Sequence, residues 1–386
     1  ARRWGLRQSA ALAGGLFYAL WFGAAAAEYL TRLEPLGNLF LLLALRQCAL
    51  ARQRTGSAQR QTLLIAGVAA ALAASTKIWF AVPLLVLLGW TARQHRIPGA
   101  KAMAAGAAGG ALAVNGPFLL LSHGTLFWRV VVAQLGREHM HLRRFDRVSQ
   151  LTSITALHLD HRSTALLTVI VAALAVVVML VALSSRPSRL FGTLAAAAVI
   201  VLLLSPSWFG FYADFAAVPM ALCVAGAAGA AGVLRRTQRT LGWLTAAAAG
   251  AGTACIAIAG TFHATAPWRG AHRLAAAVKS LHCVMSDEPA GLIALDRLDV
   301  NMSHGCPNWV DVTGRTYFGT DRSSRSRAAN PTWQRDLTRY LRSGQAVIIL
   351  RADGDGMTPK TFEAVTRDGI LVSDGRYRVY ATTPTP

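Results

Sequence analysis

The 386-residue chain is rich in apolar residues and poor in charge, with 54% hydrophobic and 15% charged residues. This composition excludes an ordinary soluble domain and indicates a protein that crosses a membrane several times. A formal net charge of +21 would suit a nucleic-acid-binding protein. The basic residues, however, lie in short connectors between apolar segments, so we expect membrane lipid rather than nucleic acid as the partner of these charges.

Nine apolar segments follow one another along the first two thirds of the chain. Several are shorter than the roughly 20 residues of a full crossing, so we expect tilted, partial or broken helices among them. The segments cover 9–27, 36–50, 62–74, 78–90, 102–121, 163–183, 190–204, 214–234 and 241–262. Together they predict a transmembrane domain over residues 1–262, in an α-helical polytopic membrane protein with about nine transmembrane or partial helices.

Short basic connectors predict the orientation of these helices. Five connectors together carry fifteen Lys and Arg residues and no acidic residue. Such connectors lie on the cytoplasmic side of a membrane. They cover residues 1–8, 46–61, 91–101, 184–189 and 235–240. The pattern therefore predicts a multi-pass protein of a plasma membrane, with the intervening loops outside.

The first external loop, "AEYLTRLEPLGNLF", contains Glu34 followed by Pro35. A short apolar helix starts there, and the dipole at its N-terminus favours a carboxylate. Glu34 is therefore either a helix-start acid or a carboxylate available for chemistry.

Lys77 interrupts the apolar run of residues 62–90. Because basic connectors precede and follow this run, the run must cross the membrane an even number of times. We therefore expect two short helices that meet at Ser75, Thr76 and Lys77 at the external surface. A lysine at bilayer depth would cost roughly 2.5–3.5 kcal/mol. Two interpretations of Lys77 stay open: a snorkelling side chain at the membrane edge, or a contact with an anionic substrate.

The long loop 122–162 is also expected outside, yet it contains six arginines and three acidic residues. A basic external loop beside a membrane needs an anionic partner, and the planar fork of Arg suits phosphate. We expect Arg143 and Arg144 to contact the phosphate of a lipid-linked substrate, with lipid headgroups as the alternative partner. His139 and His141 are interpreted as an interfacial pair. No metal site is predicted, although a divalent metal cofactor stays open.

The external turn "LSPSWFGFYADFAAVP" carries Trp208, Tyr212 and Asp214. Aromatic residues at a membrane interface explain Trp208 and Tyr212 without any further function. The sharper interpretation is that Tyr212 and Asp214 bind substrate.

Residues 263–386 differ in composition and predict a small α/β domain, placed outside the membrane by the same parity of crossings. The strand-like runs are "GLIALDR", "AVIILR" and "YRVYATT". Helical patterns cover 271–282, 332–343 and 358–366. Cys283 and Cys306 are the two cysteines of this region, and an extracytoplasmic compartment permits a disulfide between them.

Four motifs in this order resemble the polytopic membrane glycosyltransferases of the GT-C type, which use polyprenyl-phosphate sugars. They are "AEYLTRLEPLGNLFLLLAL", "LAASTKIWFAVPLLVLLGW", "VVVAQLGRE" and "LSPSWFGFYADFAAVPMAL". The resemblance covers about residues 9–262 and is strongest to the actinobacterial mannosyltransferase- or arabinosyltransferase-like branch. It implies transfer of a sugar from a polyprenyl phosphate to a cell-envelope glycan or lipid acceptor, by a general-base-assisted inverting displacement. An excess of Arg over Lys, 35 to 4, is in keeping with a GC-rich bacterium.

The resemblance also implies roles for individual residues. Lys77, Gln134 and Arg137 match positions near the donor phosphate, and Glu34 matches a secondary acidic position. Tyr212 occupies a turn where similar proteins often carry a His-Tyr pair. The leading catalytic Asp of such enzymes is expected upstream of Ala1, with Glu34 as the alternative base.

Two other classes of function stay open. A transporter or lipid flippase would also use broken helices and charges at membrane edges. A noncatalytic membrane subunit that binds cell-envelope polymer would need no catalytic acid.

Overall fold

The structure is a computed structural model. It describes residues 2–29, 32–123, 125–132, 143–205, 208–231, 271–309, 312, 327–350, 356–374 and 377–383. The chain divides near residue 265 into a helical unit and a C-terminal unit. The last predicted apolar segment, 241–262, lies outside the described residues.

The helical unit consists of apolar helices joined by short turns. Its helices are α1 (Gln8–Leu20), α2 (Phe22–Tyr29), α3 (Glu34–Ala51), α4 (Gly56–Thr76), α5 (Ala81–Leu121), α6 (Arg144–Leu151), α7 (His161–Ser184), α8 (Arg189–Leu204) and α9 (Ala217–Ala231). Most are built from Ala and Leu, which are strong helix formers.

Among the residues that the structure describes, three segments are long and apolar enough to cross a membrane. They are Ile78–Leu121, His161–Ser184 and Gly210–Ala230. Arg189–Leu204 is apolar but shorter. These lengths and compositions indicate a membrane protein, whereas the predicted number of about nine crossings stays a prediction.

The long helix α5 is a hairpin of two arms. Arg96 has φ 57° and ψ −170°, which is not helical backbone. Thr91 Oγ1 lies 3.2 Å from Met103 Sδ, although twelve residues separate the two. In a straight helix such residues would be about 18 Å apart along the axis. The chain therefore reverses at Arg96, and the predicted segments 78–90 and 102–121 correspond to the two arms.

Glycines allow α4 to pack tightly against the second arm of α5. A Cβ atom added at Gly106 would lie 2.0 Å from the Leu64 carbonyl oxygen, and one at Gly67 would lie 2.0 Å from that of Met103. Small residues permit this approach between helices in membranes. Gly106 and Gly110 lie four residues apart, a spacing of small residues typical of close helix packing in membranes.

The start of α3 and the end of α4 lie together, joined by the contact between Glu34 and Lys77. Helix α4 ends at Thr76, and Lys77 is extended (φ −158°, ψ 129°) before the 3-10 turn Ile78–Phe80. The predicted meeting point of two helices at Lys77 is therefore correct. The predicted apolar segment 9–27, by contrast, is divided, because the extended backbone of Trp21 separates α1 from α2.

The C-terminal unit contains a mixed four-stranded sheet. Its elements are α10 (Ala271–Val278), β1 (Val284–Ser286), α11 (Pro289–Ala294), α12 (Leu298–Ser303), α13 (Pro331–Leu341), β2 (Ala346–Ile348), α14 (Pro359–Thr366), β3 (Ile370–Asp374) and β4 (Tyr377–Ala381). The strand order is β1-β2-β4-β3. The first pair is parallel and the other two pairs are antiparallel.

Two local features of this unit concern the sequence predictions. Cys283 and Cys306 form a disulfide with a Cα–Cα distance of 5.8 Å, which closes the segment between α10 and the end of α12. The prediction of a strand at "GLIALDR" is wrong, because the first residues of this run belong to α11. Pro289 occupies the first turn of that helix, where its fixed φ favours helical backbone.

Candidate functional site

A group of charged and aromatic side chains lies where α3 begins and α4 ends. We call Glu34, Lys77, Trp79, Tyr212 and Asp214 the charged-aromatic cluster. Four of them come from the sequence predictions, and Trp79 is added by the structure. Three separate stretches of the chain supply these residues, so helix packing brings them together.

An ion pair between Glu34 and Lys77 lies at the centre of the cluster. Lys77 Nζ donates a hydrogen bond to Glu34 Oε1. The side chain of Glu34 is 2% exposed and that of Lys77 is 22% exposed. Glu34 is the first residue of α3, where the helix dipole favours its negative charge. The lysine that seemed suited to phosphate thus already has an anionic partner within the protein.

Aromatic rings surround the ammonium group of Lys77. Its Nζ atom lies 4.0 Å from the ring centroid of Tyr212 and 4.5 Å from that of Trp79. These two rings meet edge to face, with centroids 4.3 Å apart. Cation–π attraction of this kind stabilises a charge that is partly removed from water. The predicted substrate residue Tyr212 is therefore a direct neighbour of Lys77.

Phe211 extends the cluster toward a second cation. Its ring centroid lies 5.8 Å from Lys77 Nζ and 4.1 Å from Arg32 Cζ. The side chain of Arg32 is exposed, and it has no acidic partner among the residues that the structure describes. The sequence analysis missed Arg32, although it precedes Glu34 by two positions in the same external loop.

Asp214 is fully buried in the 3-10 turn Gly210–Ala216. Its backbone carbonyl oxygen accepts a hydrogen bond of 2.8 Å from Asn38 Nδ2. Asn38 is buried on α3, one helical turn after Glu34. This bond attaches the turn to α3. The only signal of Asn38 in the sequence is a polar residue within the apolar stretch 36–45.

Arg147 and Gln150 of α6 contact the stretch that leads into the same turn. Arg147 Nη1 donates to the Ser205 carbonyl oxygen, and its guanidinium lies 5.9 Å from the ring centroid of Trp208. Trp208 Nε1 donates to Gln150 Oε1 at 2.6 Å. Burial lowers the pKa of Arg147, and the charge of Arg144 lowers it further. Arg147, which the predictions did not single out, thus fastens α6 to the end of α8.

The other predicted phosphate ligands have different positions. Arg143 and Arg144 are exposed at the start of α6, and Arg143 Nε lies 4.0 Å from Asp146 Oδ2. Neither arginine belongs to the charged-aromatic cluster. Gln134 and Arg137 lie outside the described residues.

Among the residues that the structure describes, no group of three or more His, Cys, Asp and Glu side chains is arranged to hold a metal ion. The pair His139 and His141 lies outside those residues. The charged-aromatic cluster itself supplies two carboxylates, one ammonium group and two aromatic rings, and Arg32 adds a second cation beside it.

Comparison with protein families, with curated proteins and with solved structures gives no match to this chain.

Proposed function

We propose that this protein transfers a sugar from a polyprenyl-phosphate carrier to a cell-envelope glycan or lipid acceptor, at the external face of a bacterial plasma membrane. The observation that carries the proposal is the Glu34–Lys77 pair enclosed by Tyr212 and Trp79. Such a transfer needs a base for the acceptor hydroxyl, cations for the departing phosphate and a surface for the sugar ring. The cluster contains all three kinds of group.

In the proposed reaction, an acceptor hydroxyl oxygen attacks the anomeric carbon while the bond from that carbon to the phosphate oxygen breaks. Glu34 takes the hydroxyl proton as general base. Lys77 and Arg32 stabilise the negative charge that grows on the leaving phosphate. A single displacement of this kind inverts the anomeric centre.

The closed ion pair has a consequence for this mechanism. Glu34 accepts a hydrogen bond from Lys77, and the arriving phosphate competes for the same ammonium group. When Lys77 turns to the phosphate, the carboxylate of Glu34 becomes available to the acceptor hydroxyl. Donor binding therefore prepares the base, which reduces the reactivity of the site when no donor is present.

Other residues complete the proposed site. Tyr212, with Asp214 in the same turn, is proposed to contact the sugar. Gln134 and Arg137 keep the phosphate role that the resemblance implies. Arg143 and Arg144 are also proposed to contact the phosphate, because a basic external loop needs an anionic partner.

The second candidate is a noncatalytic membrane subunit that binds cell-envelope polymer. The observation in its favour is that Glu34 and Lys77 already satisfy each other, as the members of a structural ion pair do. A transporter fits less well, because the crossing pattern predicted from the basic connectors places both residues at the outer surface, whereas transporter sites lie near the bilayer midplane.

Sugar transfer by the full chain in proteoliposomes tests the proposal. Polyprenyl-phosphate mannose and polyprenyl-phosphate arabinose serve as donors, an envelope extract serves as acceptor, and both polyprenyl phosphate release and transferred sugar are measured. Glu34→Gln keeps an oxygen for Lys77 but cannot take a proton, so we expect transfer to fall about 10²–10⁴-fold with donor binding retained. Arg32→Gln removes a charge-assisted contact and should weaken donor binding about tenfold or more.

Arg93→Gln is the matched control, because Arg93 is an exposed arginine of α5 outside the cluster. It should transfer sugar at the wild-type rate. Wild-type transfer by Glu34→Gln would eliminate Glu34 as the base. Polymer binding without any sugar transfer by the wild-type chain would decide for the noncatalytic subunit.

A further inference from the structure

A groove of about 580 Å³ lies along the helical unit, between α1, α3 and α9. Its walls are mostly apolar and include Gly15 of α1, Leu42 and Leu45 of α3, and Ala225 of α9. Arg3 and Arg46 are also part of its lining. A volume of this size is typical of sites that hold small molecules.

Gly15 leaves open space where α1 lines the groove. A Cβ atom added at Gly15 would meet no atom within 4 Å. At the neighbouring Gly14 a Cβ atom would lie 2.5 Å from the Ala221 carbonyl oxygen, so α1 and α9 touch there. One glycine thus brings the two helices into contact, and the next leaves an open space beside that contact.

The apolar part of the groove faces outward from the protein. Leu42, one of its lining residues, is 42% exposed. On a helix of a membrane protein, an exposed leucine faces lipid tails, which have a similar polarity. The space beside Gly15 is therefore suited to a hydrocarbon chain rather than to water.

The charged part of the groove calls for an anion. Arg3 and Arg46 are both exposed, and neither has an acidic partner within the described ranges. Trp4, the neighbour of Arg3, is buried and packs edge to face on Trp90 with centroids 5.1 Å apart, which anchors the backbone beside Arg3. Two arginines beside an apolar groove match an anionic head group that is attached to a hydrocarbon chain.

This site is distinct from the charged-aromatic cluster. Glu34 and Arg46 both belong to α3, twelve residues apart. A helix rises about 1.5 Å per residue, so some 18 Å along the axis separates them. Arg3 and Arg46 also lie in the basic connectors that predict the cytoplasmic side.

We infer that the groove binds one anionic phospholipid of the cytoplasmic leaflet. One acyl chain lies against Gly15 and Leu45, and the phosphate lies between Arg3 and Arg46. Anionic lipids make the surface of that leaflet negative and attract arginines next to it. A zwitterionic lipid carries an ammonium group that the two guanidinium groups repel, so the site selects phosphatidylglycerol over phosphatidylcholine.

Photo-crosslinking in nanodiscs tests this inference on the full chain. The bilayer is phosphatidylcholine with a small fraction of phosphatidylglycerol that carries a diazirine in its acyl chain, and labelled peptides are mapped by mass spectrometry. We expect labelling on α1 and α9, displaced at least tenfold better by unlabelled phosphatidylglycerol than by additional phosphatidylcholine. Equal displacement by both lipids would refute the role of the head group.

Two glycine variants test the role of the groove. Gly15→Leu fills the space and should reduce the labelling of α1 and α9 at least fivefold. Gly89→Leu is the matched control, because a Cβ atom at Gly89 also meets nothing within 4 Å, but Gly89 belongs to α5 and lies outside the groove. Unchanged labelling in Gly15→Leu would overturn the proposed site.

The two arginines are tested in variants that leave Gly15 and the packing of α1 unchanged. Arg3→Gln combined with Arg46→Gln should abolish the preference for phosphatidylglycerol while labelling by a phosphatidylcholine probe persists. Arg93→Gln removes an exposed arginine outside the groove and should keep the preference. A double variant that still selects phosphatidylglycerol would reject the phosphate contact.

Discussion

At the scale of single residues, the ion pair with Glu34 accounts for the position of Lys77 better than snorkelling at the membrane edge does. A snorkelling lysine extends its ammonium group into water, but Lys77 is mostly covered and donates to a buried carboxylate. Removing one member of a buried ion pair leaves an unpaired charge, whereas replacing both members by neutral groups is often neutral or stabilising. Stability and function can therefore be separated at this pair.

We expect Lys77→Met to destabilise the helical unit by about 3 kcal/mol, because it leaves the Glu34 carboxylate buried without its cation. The double variant Glu34→Gln with Lys77→Met should recover most of that loss. Thermal unfolding of the purified chain in detergent measures both. A double variant as unstable as Lys77→Met alone would show that the ion pair is not what Lys77 contributes to stability.

The sequence predicted these two residues at one surface of the membrane but did not predict their contact. The parity of crossings placed Lys77 and Glu34 on the same side. Their pairing, 43 residues apart, depends on how α3 packs against α4, and no local pattern contains that information. For the same reason Asn38 and Arg32 were missed, since their partners belong to a distant turn.

At the scale of helices and strands, local patterns predicted most element positions that the structure describes. The run at β2 is apolar throughout and the run at β4 begins by alternating apolar and polar residues, and both form strands. β1 was missed because its three residues, Val284–Ser286, are all buried and too few to show a period. The region of α11 was predicted as a strand because a short apolar run fits the periodicity of a strand as well as that of a helix. Pro289 in the first turn is the local signal that favours a helix.

Packing between α4 and α5 provides a test at this scale. Gly106→Ala should lower the thermal unfolding midpoint of the helical unit, since the new Cβ atom would lie 2.0 Å from the Leu64 carbonyl oxygen and force the helices apart. Gly109→Ala is the control on the same helix, where a Cβ atom meets nothing within 4 Å. Alanine is a better helix former than glycine, so this control should be neutral or slightly stabilising. Equal midpoints for the two variants would contradict the close packing.

At the scale of the whole chain, the contacts within the helical unit define two opposite ends, and the orientation of these ends in the membrane stays a prediction. Glu34 begins α3 and Lys77 follows α4, so their ion pair shows that these two helices are antiparallel. The α3–α4 connection and the chain reversal at Arg96 therefore both lie at the end of the unit opposite the ion pair. α8 ends next to Arg147 and the turn that carries Tyr212, so that end of the unit is the cluster side. These contacts define two ends of the unit; the basic connectors predict which end faces the cytoplasm.

Cysteine labelling tests the orientation. Ser57→Cys lies at the start of α4, on the end opposite the cluster, and His161→Cys lies at the start of α7, on the cluster side; both native side chains are exposed. In a chain whose Cys48, Cys223 and Cys255 are replaced by Ala, an impermeant maleimide should label His161→Cys in intact cells. Ser57→Cys should react only after the membrane is permeabilised, which also serves as the control that its thiol is accessible. Labelling of both in intact cells would contradict the crossing pattern, which places the two thiols on opposite sides of the bilayer. The proposed function needs this pattern, because the donor phosphate reaches Glu34 and Lys77 from outside.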